Sequence, residues 1–102
     1  MSARDHTQRT ADGALVRDLV ISNKKGLHAR ASAKFVQTVE RFDAQVKVTR
    51  AGETVGGNSI MGLMMLSAGP GSTITVECRG NEAAEVMDAI CALIEGRFNE
   101  DD

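Results

Sequence analysis

The chain has 102 residues, 12 basic and 14 acidic side chains for a net charge of −2, and 42% hydrophobic content, which describes one soluble domain with room for a single core. Its two cysteines, Cys78 and Cys91, come without a CxxC or a His/Cys cluster, which excludes a zinc framework and a disulfide scaffold and suits free thiols in a reducing cytosol. Three phenylalanines with no Trp or Tyr, and 10 basic against 9 acidic residues over 14–99, leave neither stacking platforms nor a basic stripe for nucleic acid.

Residues 1–13 are polar and unpatterned, with His6 among Arg, Asp, Thr and Gln, and read as a disordered N-terminal tail whose alternating charges do not suit a signal peptide. Leu15, Val16, Leu19, Val20 and Ile21 form a β-branched-rich run that stops at the turn Ser22-Asn23-Lys24-Lys25-Gly26, giving a first strand. From Ala29 the period changes: Ala31, Phe35, Val36, Val39 and Phe42 share one helical stripe, which predicts a helix over 29–41. Val46 and Val48 alternate with Lys47 and Thr49, and Ala51-Gly52 connects this strand to Glu53-Thr54-Val55 as a hairpin. Gly56-Gly57-Asn58 breaks the strand, and Ser59 sits at the N-cap of a short apolar helix, Ile60 to Leu66, that Gly69-Pro70-Gly71 ends. That apolar stretch is far too short to span a membrane. Ile74, Val76 and Cys78 alternate with Thr73, Thr75 and Glu77 as a fourth strand. Gly80-Asn81 then caps a third helix buried along Ala83, Met87, Ile90 and Ile94, with Val86 and Leu93 beside that line and Gly96 as its stop.

The order βαββαβα predicts an α+β domain over 14–98, an open-faced β-sandwich of four antiparallel strands with helices on one face. An acidic C-terminal tail, residues 99–102, would follow.

Chemistry concentrates at Leu27-His28-Ala29-Arg30, at the predicted start of the first helix. A helix N-terminus offers unpaired N–H groups and partial positive charge to an anion. A neutral imidazole there can accept a phosphoryl group, which Arg30 and the helix end would solvate. A histidine in that place also serves simply as a cap or surface residue, and Arg30 as a solvated helix charge. The residues alone leave both readings open.

Gly26-Leu27-His28-Ala29-Arg30, followed by Ser59-Ile60-Met61-Gly62-Leu63-Met64 and by Gly69-x-Gly71, resembles the two signature segments of HPr, the histidine phosphocarrier of the bacterial phosphoenolpyruvate-dependent phosphotransferase system. The likeness covers residues 15–95. It implies a sheet of spatial order 1-4-2-3 covered by three helices, and a phosphoryl group taken onto His28 Nδ1 from phosphorylated enzyme I and delivered to an enzyme IIA domain. Arg30 and the backbone N–H groups of Ala29 and Arg30 would steady the phosphate. Ile60, Met61 and Met64, framed by Lys34, would form an apolar docking patch for these partners, while Leu63 and Leu66 are assigned to the core.

Ser59 matches the serine that an HPr kinase modifies in some branches, although N-capping alone accounts for a serine there. Ala31 stands where the family commonly has Pro in the first helical turn, which gives up some rigidity. Asn23-Lys24, Asn58-Ser59 and the acidic ending resemble the nitrogen-related carrier NPr, whereas Ile60-Met61-Gly62 is closer to sugar-branch HPr; the balance favours the regulatory branch. The short apolar stretches and the charged N-terminal segment predict a cytoplasmic protein, and the absence of a ligand cluster predicts no metal. The resemblance implies a monomer without a cofactor that acts as a phosphotransfer intermediate, not an autonomous catalyst. The competing reading is an α+β adaptor or ligand-sensing domain, never phosphorylated, that docks through its Met-rich helix. Such an adaptor has no need of a nucleophile at a helix N-terminus. A hydrolase using His28 as base lacks a partner constellation, and no phosphate-binding GxxxxGK[ST] loop is present.

Overall fold

Alternation along the strands decides which face of the sheet is covered. In the computed structural model, which describes residues 7–100, the elements are β1 (Gln8–Arg9), β2 (Leu15–Val20), α1 (Ala29–Glu40), β3 (Gln45–Arg50), β4 (Glu53–Gly56), α2 (Ile60–Met65), β5 (Thr73–Arg79) and α3 (Ala83–Glu95). Val46 and Val48 of β3 pair with Cys78 and Val76 of β5, and Leu19 of β2 pairs with Ile74, so one face carries a continuous apolar layer. The opposite face of the same strands presents Lys47, Thr73 and Thr75 and stays open to solvent.

The sheet is antiparallel throughout, in the order β1-β2-β5-β3-β4. The four expected strands keep the order 1-4-2-3, but a fifth is present. Gln8 and Arg9 pair with Val16 and Leu15 along the otherwise open edge of β2. A tight turn returns the chain: Thr10 N–H donates to Ala14 O at 2.8 Å, Thr10 Oγ1 accepts from Ala14 N–H at 3.0 Å, and Gly13 N–H donates to Thr10 O at 3.0 Å. Arg79 fixes this turn to β5 by pairing with Asp12 and, at 2.9 Å, with Glu77. The expected disordered tail is therefore corrected over residues 8–13. A strand this short has no apolar alternation to read; the exposed edge beside it supplies the reason to order. Residues 1–6 of the expected tail, including His6, lie outside the described residues, as do 101 and 102.

α1 buries Ala31, Phe35, Val36 and Val39 as the period requires and ends one residue earlier than expected, with Arg41 as its C-cap. α3 buries Ala83, Val86, Met87, Ile90, Cys91 and Ile94. Its N-cap is Glu82, not Gly80-Asn81, and no side chain caps it locally. Both polar residues reach across the molecule instead: Glu82 Oε1 accepts from Asp43 N–H at 2.7 Å, and Asn81 Nδ2 donates to Asp43 Oδ2 at 2.9 Å. Gly96 caps the helix end, as its position predicts. Beyond it Arg97, Phe98 and Asn99 form one further turn, with Phe98 wholly buried. Residues 99 and 100 are thus part of the fold and not of an extended acidic tail. α1 packs against α2 and α3, and α3 lies over β2 and β5.

Candidate functional site

The loop between β2 and α1 is tied down before it reaches the histidine. Asn23 is buried; its Nδ2 donates to Gly26 O at 2.8 Å, and Gly26 N–H returns to Asn23 O at 3.2 Å. Gly26 has a φ of 62°, and a Cβ on it would stand 2.2 Å from Ala68 O, so only glycine fits. The close approach lets Leu27 N–H donate to Ala68 O at 2.9 Å, and Leu27 is buried. His28 follows as the N-cap of α1, in extended conformation, its carbonyl accepting the first helical bond from Ser32 N–H at 2.8 Å. Ser32 Oγ donates back to Leu27 O at 3.1 Å.

Both nitrogens of His28 are engaged. Nδ1 accepts from the backbone N–H of Arg30 at 3.3 Å, and Nε2 lies 2.6 Å from Glu100 Oε2. A nitrogen that accepts a hydrogen bond carries no proton, and one facing a carboxylate donates, so the ring is the Nε2–H form with its Nδ1 lone pair turned to the helix end. Asn23 Nδ2 also donates to both Glu100 oxygens at 3.3 Å. The hydrogen bond from His28 holds the Glu100 carboxyl below its ordinary range; partial burial opposes this, and Asn23 and Lys25 reinforce it.

An open cavity of about 480 Å³ sits over this point, lined by Lys25, His28, Arg30, Lys34 and Glu100. Arg30 is exposed at the rim of this cavity, and its guanidinium is of the type that binds anions by charge-assisted hydrogen bonds. Lys34, expected at the rim of a docking patch, lines the same cavity but donates its ammonium to Phe98 O. Neither thiol competes for the chemistry. Both are buried, and burial pushes Cys78 up to about 12 and raises Cys91 as well. Among the described residues no group of three or more His, Cys, Asp or Glu could hold a metal, and no helix is long and apolar enough to cross a membrane.

Ser59 is the N-cap of α2: its Oγ accepts Gly62 N–H at 3.0 Å. At the other end Arg50 Nη1 donates to Leu66 O at 2.9 Å, satisfying a terminal carbonyl. Leu63 and Leu66 are buried, whereas Ile60, Met61, Met64 and Met65 are exposed, Met61 at 72% and Met65 at 67%. Met65, on the same helix, is thus exposed as well, beyond the residues that the resemblance singled out. Sequence reasoning also missed Asn23, Lys25 and Glu100. The signal for Glu100 was Phe98, an isolated large apolar residue past the stop of the last helix, which implies that the chain is anchored there.

The family model for the "PTS HPr component phosphorylation site" matches residues 15–96, a stretch that stops short of Glu100. The phosphocarrier protein HPr of Cupriavidus necator is 56% identical over 86 residues, covering 84% of this chain and 97% of its own. The phosphocarrier protein NPr of Shewanella violacea is 41% identical over 86 residues, covering 84% of this chain and 94% of its own. Among solved structures, HPr-C-His from Thermoanaerobacter tengcongensis superposes with a TM-score of 0.81 at 37% identity, over 85% of this chain and 98% of its own. HPr from Bacillus anthracis gives 0.76 at 40% identity, over 79% and 96%.

Proposed function

The chain belongs to the HPr family of phosphotransferase-system phosphocarriers, and from that membership we propose that His28 is its phosphoryl relay. Enzyme I in its phosphorylated form is the donor, and an enzyme IIA domain, of the sugar-uptake or the nitrogen-related regulatory branch, is the acceptor. One observation carries the reading: an N-cap histidine whose Nδ1 lone pair lies at an open helix N-terminus while its Nε2 is bound elsewhere. A phosphoryl group on Nδ1 would replace the Arg30 N–H contact and take up hydrogen bonds from the backbone N–H groups of Ala29 and Arg30. The Arg30 side chain would close over it, within a cavity that Lys25 and Lys34 also make positive.

Partner docking falls to the exposed Ile60, Met61 and Met64, whose flexible thioethers suit successive contacts with different surfaces. A phosphate on Ser59, if an HPr kinase places it there, would add about two negative charges beside that patch and discourage an acidic partner. The protein works in this reading as a cytoplasmic monomer, charged and discharged by others.

The test is phosphorylation of the wild type and His28→Ala by enzyme I and phosphoenolpyruvate, followed by mass spectrometry and an acid wash. The wild type gains an acid-labile phosphate at His28 and gives it to an enzyme IIA domain; the variant does neither. An acid-stable adduct elsewhere, or undiminished relay by the variant, overturns the proposal. Offering the labelled carrier to enzyme IIA domains of each branch identifies the acceptor.

A further inference from the structure

Arg97, Phe98 and Asn99 have φ values of 55°, 56° and 60°, three consecutive residues in the left-handed region that side chains with a Cβ disfavour. Such a turn persists only where its surroundings impose it. Here Phe98 is wholly buried, and its carbonyl accepts from Lys34 Nζ across to α1. The result of this turn is local and specific: it brings Glu100 back to the start of α1, 72 residues away in sequence, with its carboxylate 2.6 Å from His28 Nε2. Two more groups receive the carboxylate, for Asn23 Nδ2 bonds both oxygens and Lys25 faces it.

We infer that Glu100 is a positioning residue for phosphoryl transfer at His28. It accepts the Nε2 proton, keeps the ring in the form whose Nδ1 lone pair is free, and holds that lone pair toward the helix end. The inference rests on the reading of His28 as phosphoryl acceptor and assigns a further residue to the same site. In the transfer step the Nδ1 lone pair forms the new N–P bond while the bond from phosphorus to the donor atom breaks, its electron pair leaving with the donor. No proton departs from His28. The ring keeps its Nε2 proton and becomes cationic, and the Glu100 carboxylate offsets that charge. On delivery to the acceptor the same events run in reverse and the ring returns to the neutral Nε2–H form.

The full chain labelled with 15N-histidine tests this. Long-range 1H–15N correlation spectra report which ring nitrogen is protonated in the wild type, Glu100→Gln and Glu100→Ala, and phosphoryl uptake from phosphorylated enzyme I is timed for each. The wild type shows Nε2–H alone. In Glu100→Ala the two tautomers mix and transfer slows roughly tenfold, which is the ~1.4 kcal/mol of one charge-assisted hydrogen bond. Glu100→Gln keeps an acceptor but loses the charge, so it retains the Nε2–H form while transfer still slows. A merely structural role would change melting temperature without separating these two variants. Tautomer and rate in both variants within about twofold of the wild type, with His28→Ala inactive, overturn the role of Glu100 and leave the relay standing. Relay by His28→Ala removes the relay itself, whatever Glu100 does.

Discussion

Replacing Gly26 with alanine tests how the loop delivers His28 to the helix end. Gly26 has a φ of 62°, and an added Cβ would lie 2.2 Å from Ala68 O, 2.8 Å from Gly69 Cα and 3.1 Å from the Ala68 carbonyl carbon. All three are backbone atoms, so no side chain can swing aside. The left-handed conformation costs alanine roughly 1–2 kcal/mol. Separating the two backbones adds about 1–3 kcal/mol of overpacking strain, and stretching the 2.9 Å bond from Leu27 N–H to Ala68 O adds about 1 kcal/mol. The sum is about 4 kcal/mol, or a melting temperature lower by roughly 15–30 °C for a domain of this size. Gly52→Ala is the control. Gly52 also has a positive φ, 84°, but nothing lies within 4 Å of its added Cβ, and the neighbouring Ala51 already sits at φ 51°. That variant pays only the backbone term, about 1 kcal/mol. Urea unfolding of both variants beside the wild type measures the difference. A gap under about 1 kcal/mol between them would show that the Ala68-Gly69 segment yields freely, and the account of the loop would be wrong.

Other outcomes follow from the same geometry. Ser59→Ala removes the acceptor for Gly62 N–H and lowers stability by about 1 kcal/mol in denaturant unfolding, whereas Ser59→Asp, another good N-cap, restores most of it. Met61→Ala leaves the melting temperature within about 2 °C, because the side chain is 72% exposed, yet weakens enzyme I binding several-fold in calorimetry. Phe98→Ala empties a wholly buried site, costs about 3–5 kcal/mol, and frees the strap that carries Glu100, seen as loss of the Nε2 contact in histidine NMR. The Glu100 carboxyl is depressed below its ordinary 4.5 in the folded protein, so its contribution to stability is complete above pH 4.5 and is lost as the pH falls through the lower, folded value. A 13C titration of the Glu100 carboxyl with a midpoint at or above 4.5 would contradict this.

Much of the fold is legible in residue spacing, since periodicity records which face of an element is buried. Phe35 and Val39 mark α1, Val46 and Val48 mark β3, and Ile74, Val76 and Cys78 mark β5, all at the expected burial. Local chemistry is legible too: Ser59 caps α2, and His28 stands at the entry to α1. Each of these signals acts over four residues or fewer. What only the tertiary structure decides involves partners distant in sequence and polar in type. Gln8 and Arg9 become a strand because β2 leaves an edge open, and Glu82 turns from helix entry to Asp43 because β3 approaches there. Arg17, on the apolar face opposite Val76, is accommodated because α3 brings Cys91 Sγ within 3.0 Å of its Nη1. Glu100 meets His28 because Phe98 finds a place in the core and reverses the chain. Polar contacts have no period, so hydrophobic patterning cannot announce them; they exist only once the apolar faces have packed and set the distances between elements.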